Sequence, residues 1–395
     1  MKLNTPMNSS ASITLDQSDL HTITTVAAST SFTSDRLWLN GVEVEINGRA
    51  QTCLREVRRI AQDRVLGDRV VVRKDDWPQY KVHISSINTF PTGAGLASSA
   101  AGLACFVKCL AELYCIKEEY PGHITAIARQ GSGSASRSLF GGFVRWQKGE
   151  RADGTDSIAV QIADENYWPE MSAVIMVVSD KEKDTSSTSG METSRLTSPL
   201  LQYRASTVVQ PRLEAIEAAY LRRDFETFGK ITMQDSNQFH ATCLDTYPPI
   251  FYMNEVSRII IRLCHIINAF YGHVKAAYTF DAGPNAVIYC MAADAPMIAA
   301  SMAMYFPAPG DLADYCNNPA ELGRIVKDTA SLLPAELLAR LETSGRTPRA
   351  GDVKYMFLTK AGPGPVKQGA EEHLLSPATG LPVAASSKHK RMRIA

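Results

Sequence analysis

A glycine-rich turn followed by two serines is the feature of this sequence best suited to bind an anion. It lies between a stretch that alternates like a half-buried strand, residues 80–87, and a helical pattern at residues 103–113. A helix that begins here directs unpaired amides and the positive end of its dipole at the turn. The glycines let a phosphate approach the backbone, and the hydroxyls can ligate a phosphate-bound metal or cap the helix. The residues concerned are Gly93, Ala94, Gly95, Leu96, Ala97, Ser98 and Ser99.

Two common phosphate-binding loops do not match this turn. The Gly-Lys-Ser/Thr of a P-loop is absent. The third glycine of the dinucleotide-binding fingerprint is missing, although Glu112 lies near the expected acidic position. Turn chemistry alone therefore leaves phosphate binding and tight helix packing both open.

A second segment rich in glycine and serine, residues 131–138, ends in an arginine. A Gly/Ser run is usually a flexible loop. This one is short and lies between a predicted helix and a predicted strand, and its hydroxyls and amides adjoin a cation. Such a group can hold a carboxylate or a phosphate. The candidates are Ser132, Gly133, Ser134, Ala135, Ser136 and Arg137.

Five further residues carry groups that could do chemistry. Ser187 and Thr188 belong to a polar run after an apolar strand pattern, which predicts a mobile loop or a helix cap. Asp281 lies between two apolar strand patterns. Its carboxylate either accepts backbone hydrogen bonds within the turn or acts on a substrate, if it is buried at the mouth of the hairpin. His240 could be a base, but its apolar neighbours favour a structural role. Arg49 begins a predicted helix and by composition alone is a solvated cation.

Composition sets limits on the protein class. A chain of 395 residues suggests two domains, and 41 basic and 41 acidic residues give no net charge that would attract nucleic acid or an anionic membrane. The eight cysteines form no C-x-x-C pair, the histidines show no metal-binding spacing, and the first residues lack a signal-peptide core. We expect a soluble cytoplasmic protein with reduced thiols.

Four strings in the sequence together resemble the mevalonate diphosphate decarboxylase family of the GHMP small-molecule kinase superfamily. They are P-T-G-A-G-L-A-S-S-A-A-G at 91–102, G-S-G-S-A-S-R-S at 131–138, S-S-T-S-G-M at 186–191 and F-D-A-G-P-N at 280–285. The resemblance extends from about residue 2 to 382 and implies an α+β fold. An N-terminal domain like ribosomal protein S5 domain 2 would cover residues 1–185, and a ferredoxin-like domain residues 186–382, with the active site between them. Residues 383–395 form a basic tail that we expect to be disordered.

The resemblance also implies a reaction, in which (R)-5-diphosphomevalonate and ATP give isopentenyl diphosphate, ADP, phosphate and carbon dioxide. Asp281 would orient or deprotonate the tertiary hydroxyl, Arg137 would bind the carboxylate, and Arg49 would contact the diphosphate. Mg²⁺ at Ser98 and Ser99 would steady the ATP phosphates, and a homodimer is expected. The implied catalytic residues are Asp281, Arg137 and Ser99. Other substrate contacts are assigned to Ser132, Gly133, Ser134, Ala135, Ser136 and Thr188, and nucleotide contacts to residues 93–99 and Ser187. Ser136 stands where the family has cysteine.

Two alternatives to this activity remain open. A GHMP kinase that stops at the phosphate ester would consume ATP without releasing carbon dioxide. A non-catalytic or binding-only relative would bind a ligand or a partner without turnover.

The family has a segment resembling A-P-V-N-I-A-V-I-K-Y-W-G-K-R-D before the part that matches Leu3 to Leu15. In this sequence Met1 lies at a position that, in the family, comes after that segment. Its lysines, tyrosine and tryptophan help hold the substrate diphosphate, and each lost bond to a charged group costs about 1.5–3 kcal/mol. We expect weak or absent turnover from residues 1–395 and restored turnover once the segment is added, measured as steady-state ADP release. Family-like kinetics from residues 1–395 alone would contradict this expectation.

Overall fold

The computed structural model describes residues 3–46, 48–90, 97–179 and 184–384. These residues separate into two compact units. Those before residue 91, those from 97 to 164 and those from 362 onward form the first unit, and those from 165 to 361 form the second. The boundary expected after residue 185 thus falls inside the second unit, because the strand Met171–Val177 pairs with two later strands of that unit.

The elements of the described residues have the following bounds. The strands are β1 Ser10–Ile13, β2 Thr22–Ser29, β3 Arg36–Leu39, β4 Val42–Val44, β5 Arg64–Leu66, β6 Arg69–Val72, β7 Lys81–Asn88, β8 Phe143–Trp146, β9 Ala159–Ala163, β10 Met171–Val177, β11 Ala277–Phe280, β12 Ala286–Met291 and β13 Tyr355–Lys360. The α-helices are α1 Gly48–Arg59, α2 Ser98–Leu113, α3 His123–Gly131, α4 Ser187–Thr197, α5 Pro199–Tyr203, α6 Val209–Leu221, α7 Phe225–Asp245, α8 Glu255–Tyr271, α9 Ala295–Tyr305, α10 Pro319–Lys327, α11 Thr329–Leu332 and α12 Ala335–Glu342.

The first unit packs α1, α2 and α3 with a sheet of order β2-β7-β3-β4. A second sheet has the order β1-β8-β9, and β5 and β6 form a hairpin. The core beneath the helices includes Val57, Ile84, Leu110 and Ile127, each fully buried. Burying a side chain of this size contributes about 1.5–3 kcal/mol. This packing fixes α2, and therefore its first turn, against the sheet.

The second unit is built on an antiparallel sheet of order β11-β12-β10-β13. Helices α7, α8 and α9 pack against its strands. Phe228 of α7, Leu263 of α8 and Ile288 of β12 are almost wholly buried. The hairpin of β11 and β12 carries the turn at residues 281–285, so this packing determines where the turn lies within the unit.

The structure confirms the predicted elements around the candidate residues. The predicted strand at residues 80–87 is β7, the helical pattern at 103–113 lies in α2, and β11 and β12 flank residues 281–285. The chain breaks between α6 and α7, because Arg223 has a φ of 55° and Asp224 caps α7 by accepting the Thr227 amide at 3.0 Å.

In the part of the chain that the structure describes, no helix combines the length and apolar character needed to cross a membrane. Residues 385–395 of the basic tail lie outside that part.

Candidate functional site

The helix after the glycine-rich turn begins at a strained residue. Ala97 precedes α2 with a φ of 55° and a ψ of 28°, in the left-handed region. That conformation costs an L-residue roughly 1–2 kcal/mol, and such strain is concentrated at functional sites. Gly93, Ala94, Gly95 and Leu96 lie outside the described residues.

The first amides of α2 precede the hydrogen-bond ladder of the helix. The amides of Ala100 and Ala101 both donate to the Ala97 carbonyl, at 3.0 and 3.1 Å. The amides of Ser98 and Ser99 therefore come before the first intrahelical bond. The Ser99 side chain is exposed and that of Ser98 is half-buried. Amides, hydroxyls and the helix dipole together favour an anionic oxygen at this position.

The second Gly/Ser segment is ordered as a 3₁₀ turn over Gly133–Leu139 rather than a flexible loop. The Ser136 hydroxyl is fully buried and donates to the carbonyl of residue 133 at 2.8 Å. Ala135 is also fully buried, so these two residues lie beneath the surface of the segment. Ser132 and Ser134 are half-buried.

Arg137 is aligned by two hydroxyls and an aromatic ring. Its Nε donates to Ser12 Oγ at 2.9 Å and its Nη1 to Ser10 Oγ at 2.6 Å. Its Cζ lies 5.8 Å from the centre of the Trp146 ring, a cation–π distance. A Cβ at Gly133 would lie 2.5 Å from that ring, so this position requires glycine. The guanidinium thus has a defined plane, which bidentate carboxylate binding requires.

The two serines that align Arg137 were not identified from the sequence as site residues. Ser10, Ser12 and Thr14 alternate along β1 and its continuation, and the Thr14 hydroxyl donates to the Phe140 carbonyl at 2.7 Å. All three hydroxyls therefore contact the segment 137–140. The signal that could have revealed them is a hydroxyl at every second residue of a predicted strand.

Arg49 lies in the first turn of α1 with an exposed side chain. The buried face of α1 packs against α3, where the Cys53 thiol donates to the Ile127 carbonyl at 3.3 Å. Because α3 ends at Gly131, α1 is fixed next to the helix that leads into the Gly/Ser segment.

In the second unit, Ser187 and Thr188 form the first turn of α4. The Ser186 hydroxyl accepts a hydrogen bond from the Ser189 amide at 3.1 Å and caps the helix. The sequence predicted either a mobile loop or a helix cap here, and the described residues show the cap. Thr188 is exposed and Ser187 half-buried. This is a second helix N-terminus that presents hydroxyls.

Asp281 is exposed, so the expectation that it is buried at the mouth of the hairpin is wrong. The reason lies in the turn. Phe280, the last residue of β11, is buried, and the chain then turns outward with the Gly283 amide donating to the Asp281 carbonyl at 2.7 Å. The carboxylate is thus presented to solvent from a compact turn.

The far side of this turn is fixed by two polar contacts. The Ser257 hydroxyl at the start of α8 donates to the Pro284 carbonyl at 2.9 Å. Asn285 is buried, and its Oδ1 accepts the amides of Val178 and Ser179 at 2.7 and 3.0 Å. The asparagine of the D-A-G-P-N string therefore ties the turn to the end of β10.

An apolar cluster lies beneath Asp281. It contains Cys243, Ile250, Tyr252 and Ala282. Burial, and after it the charge of Asp281, raises the pKa of the Cys243 thiol to about 11. Burial together with the charges of Cys243 and Asp281 raises the pKa of Tyr252 to about 12. The Cys243 thiol and the Tyr252 hydroxyl are therefore neutral near pH 7, so the residues that pack under the Asp281 turn carry no charge.

Tyr252 connects this cluster to the start of α4. Its hydroxyl donates to the Ser186 carbonyl at 3.5 Å, and a Cβ at Gly190 would collide with that hydroxyl. The first turn of α4, with Thr188, and the turn of Asp281 thus pack around one tyrosine within the second unit.

His240 is buried below the same turn, and its Nε2 lies 3.3 Å from the Phe280 carbonyl. Burial lowers the pKa of this histidine, although its bond to Phe280 and the charge of Asp281 oppose that shift. The prediction that His240 is a satisfied structural residue is confirmed.

The residues at the α2 N-terminus fit Mg²⁺ carried by a nucleotide. Serine hydroxyls are hard oxygen ligands, and Mg²⁺ commonly takes one or two protein ligands and completes its shell with phosphate and water. Among the described residues, no group of three or more His, Cys, Asp or Glu side chains could hold a metal ion. A site at Ser98 and Ser99 would therefore depend on the bound phosphates.

Family models match both parts of the chain. The model described as "Diphosphomevalonate decarboxylase-like N-terminal domain" matches residues 1–159, and "Mevalonate 5-diphosphate decarboxylase C-terminal domain" matches residues 173–368. The diphosphomevalonate decarboxylase of Rattus norvegicus is 48% identical over 383 residues, covering 95% of this chain and 90% of the relative.

Solved structures give the same result. The mevalonate diphosphate decarboxylase of Trypanosoma brucei has a TM-score of 0.83 at 35% identity and covers 95% of this chain and 93% of its own. A structure named MDDEF in complex with MVAPP, AMPPCP and magnesium has a TM-score of 0.61 at 26% identity, covering 91% of this chain and 90% of its own.

The contacts of Arg137 lead to a test of its alignment. Replacing Ser10 and Ser12 together by alanine removes both hydroxyl acceptors. Each bond contributes about 1 kcal/mol, so we expect the KM for diphosphomevalonate to rise roughly tenfold or more with little change in Tm.

Ser9→Ala is the matched control, because the Ser9 hydroxyl accepts the Lys148 amide at 2.9 Å on the same segment. Steady-state kinetics gives the KM of each variant, and thermal unfolding gives its Tm. A double variant that matches this control in KM would show that the two serines do not align Arg137.

Proposed function

The chain belongs to the diphosphomevalonate decarboxylase family, and on that premise we propose how its residues carry out the family's reaction. The fold class follows as well, because the similar solved structures have the two-domain α+β GHMP-kinase fold. The reaction is the ATP-dependent decarboxylation of (R)-5-diphosphomevalonate to isopentenyl diphosphate, ADP, phosphate and carbon dioxide in the mevalonate pathway. The observation that carries the assignment of roles is the alignment of Arg137 by Ser10 and Ser12.

Arg137 binds the carboxylate that departs as carbon dioxide. A guanidinium held in one plane recognises a carboxylate by two parallel hydrogen bonds. It also keeps the carboxylate aligned as the bond to the neighbouring carbon breaks. Ser132 and Ser134, half-buried on the same segment, contribute hydroxyls to the substrate, and Gly133 contributes its main chain. The fully buried Ala135 and Ser136 support the segment from beneath.

Asp281 acts on the tertiary hydroxyl of the substrate. A tertiary alcohol leaves poorly, so ATP first converts it to a phosphate ester, and loss of that phosphate leaves positive character at the same carbon. Asp281 orients the hydroxyl or accepts its proton. The rigid turn supports this role, because a carboxylate at a fixed backbone position needs little reorganisation to meet the substrate.

The two helix N-termini bind phosphate groups. At the start of α2, the amides and hydroxyls of Ser98 and Ser99 contact the ATP phosphates, together with residues 93–97. These two serines would also hold Mg²⁺, which when bound offsets the negative charge of the phosphates. Ser187 contacts the nucleotide, Thr188 contacts the substrate, and Arg49 pairs with its diphosphate.

The decisive experiment measures ADP and carbon dioxide release from diphosphomevalonate and ATP by wild type, Asp281→Ala and Asp281→Asn. General acid–base groups contribute roughly 10²- to 10⁴-fold, so we expect kcat to fall by at least about 100-fold while diphosphomevalonate binding, measured by calorimetry, is retained. Asp314→Asn is the control, because Asp314 is also an exposed aspartate of a short turn in the second unit.

The outcomes separate the candidate activities. Equal turnover of wild type and Asp281→Asn would remove Asp281 from the mechanism. ADP release by wild type without carbon dioxide would make the protein a kinase. Ligand binding without either product, even after the family's upstream segment is added, would make it a binding protein.

The family resemblance also leads us to propose a cytoplasmic homodimer. Light scattering after size exclusion, at the protein concentration of the activity assay, should give twice the chain mass of 43.2 kDa. A fully active monomer would contradict this proposal.

A further inference from the structure

The backbone amide and carbonyl of Phe280, the residue immediately before Asp281, are both held by side chains of α7. The Phe280 amide donates to Ser236 Oγ at 3.0 Å, and the Phe280 carbonyl lies 3.3 Å from His240 Nε2. Ser236 and His240 are only 5% and 4% exposed. They are four residues apart, so both lie on one face of the helix.

The position of β11 explains why this arrangement is needed. In the described residues β11 is the edge strand of its sheet, and its partner is β12. Every second residue of an edge strand turns its amide and carbonyl away from the partner strand. Buried groups of this kind must find another partner, and at Phe280 the partners are the hydroxyl of Ser236 and the imidazole of His240.

The geometry also defines the state of His240. A carbonyl oxygen only accepts hydrogen bonds, so Nε2 must carry the hydrogen in the bond to Phe280. Burial lowers the pKa of the histidine, which favours the neutral ring. A neutral imidazole that already donates through Nε2 cannot accept a proton at that nitrogen, so this nitrogen, the one that meets the chain next to Asp281, makes a structural contact.

We propose that Ser236 and His240 are positioning residues that fix the backbone on both sides of the Phe280 Cα and thereby aim the Asp281 carboxylate at the substrate hydroxyl. This proposal rests on the proposed function of Asp281 and adds the residues that orient its carboxylate. Asp281 is itself exposed, so its orientation depends on the chain on either side of it. Ser257 and Asn285 hold the chain after Asp281, and Ser236 and His240 hold the chain before it.

The test compares Ser236→Ala and His240→Phe with the conservative variant His240→Gln. A glutamine amide can donate near the position of Nε2 but cannot act as a base. We expect Ser236→Ala and His240→Phe to lower kcat about tenfold, with the KM values for ATP and diphosphomevalonate changed less than about twofold, and His240→Gln to recover most of the loss.

Thr232→Val is the matched control. Thr232 is a buried hydroxyl one turn earlier on α7 that donates to the Phe228 carbonyl of its own helix at 2.8 Å. Thermal unfolding of every variant shows whether a loss of kcat follows a loss of stability. A fall in kcat that tracks Tm equally in Thr232→Val and Ser236→Ala would overturn the proposal, as would a His240→Gln variant as impaired as His240→Phe.

A double-mutant cycle with Asp281→Asn separates this inference from the function on which it rests. If positioning acts through Asp281, Ser236→Ala produces no further loss in the residual activity of Asp281→Asn. A full additional tenfold loss in that background would overturn the inference while leaving the role of Asp281 intact. Unimpaired turnover of Asp281→Asn alone would instead overturn the proposed function.

Discussion

A main-chain polar group that no neighbouring strand or helical turn satisfies must find another partner, and the candidate site depends on this constraint. At the end of β11, the Phe280 amide and carbonyl find Ser236 and His240. At the start of α2, the amides of Ser98 and Ser99 precede the helical ladder, at the end of the helix where the dipole favours an anionic oxygen. One constraint therefore accounts for the rigid support beside Asp281 and for a helix N-terminus suited to an anion.

Two arginines, Arg58 and Arg137, differ in the groups that accept their hydrogen bonds. Arg58 forms two bonds of 2.8 Å to the carboxylate of Asp35, a bidentate pair that lends the first unit rigidity. Arg137 is instead aligned by the hydroxyls of Ser10 and Ser12. The serine hydroxyls are neutral acceptors, so these two bonds orient the plane of the guanidinium without themselves cancelling its charge.

Local patterns predicted the elements well, because strand alternation, helical periodicity and turn residues are properties of neighbours in the chain. The strand before α2, the hairpin of β11 and β12, and the candidate residues Arg137 and Asp281 were all accessible in this way. Partners distant in sequence were not: Ser12 bonds to a residue 125 positions away, and Ser236 to one 44 positions away. The exposure of Asp281 was missed because apolar flanking strands indicate a buried hairpin but not the direction of its turn.

The Asp281 carboxylate is exposed, whereas the residues that hold the backbone around it are buried, and one physical reason explains both. A group that must meet a substrate has to be reached from solvent, so it cannot be held by close packing of its own side chain. The groups that hold its backbone can be buried without penalty when their hydrogen bonds are complete. Ser236, His240 and Asn285 meet that condition in their contacts with β10 and β11. The backbone position of Asp281 is thus fixed by buried neighbours, and a buried histidine bonded to the chain beside an aspartate need not act as a base.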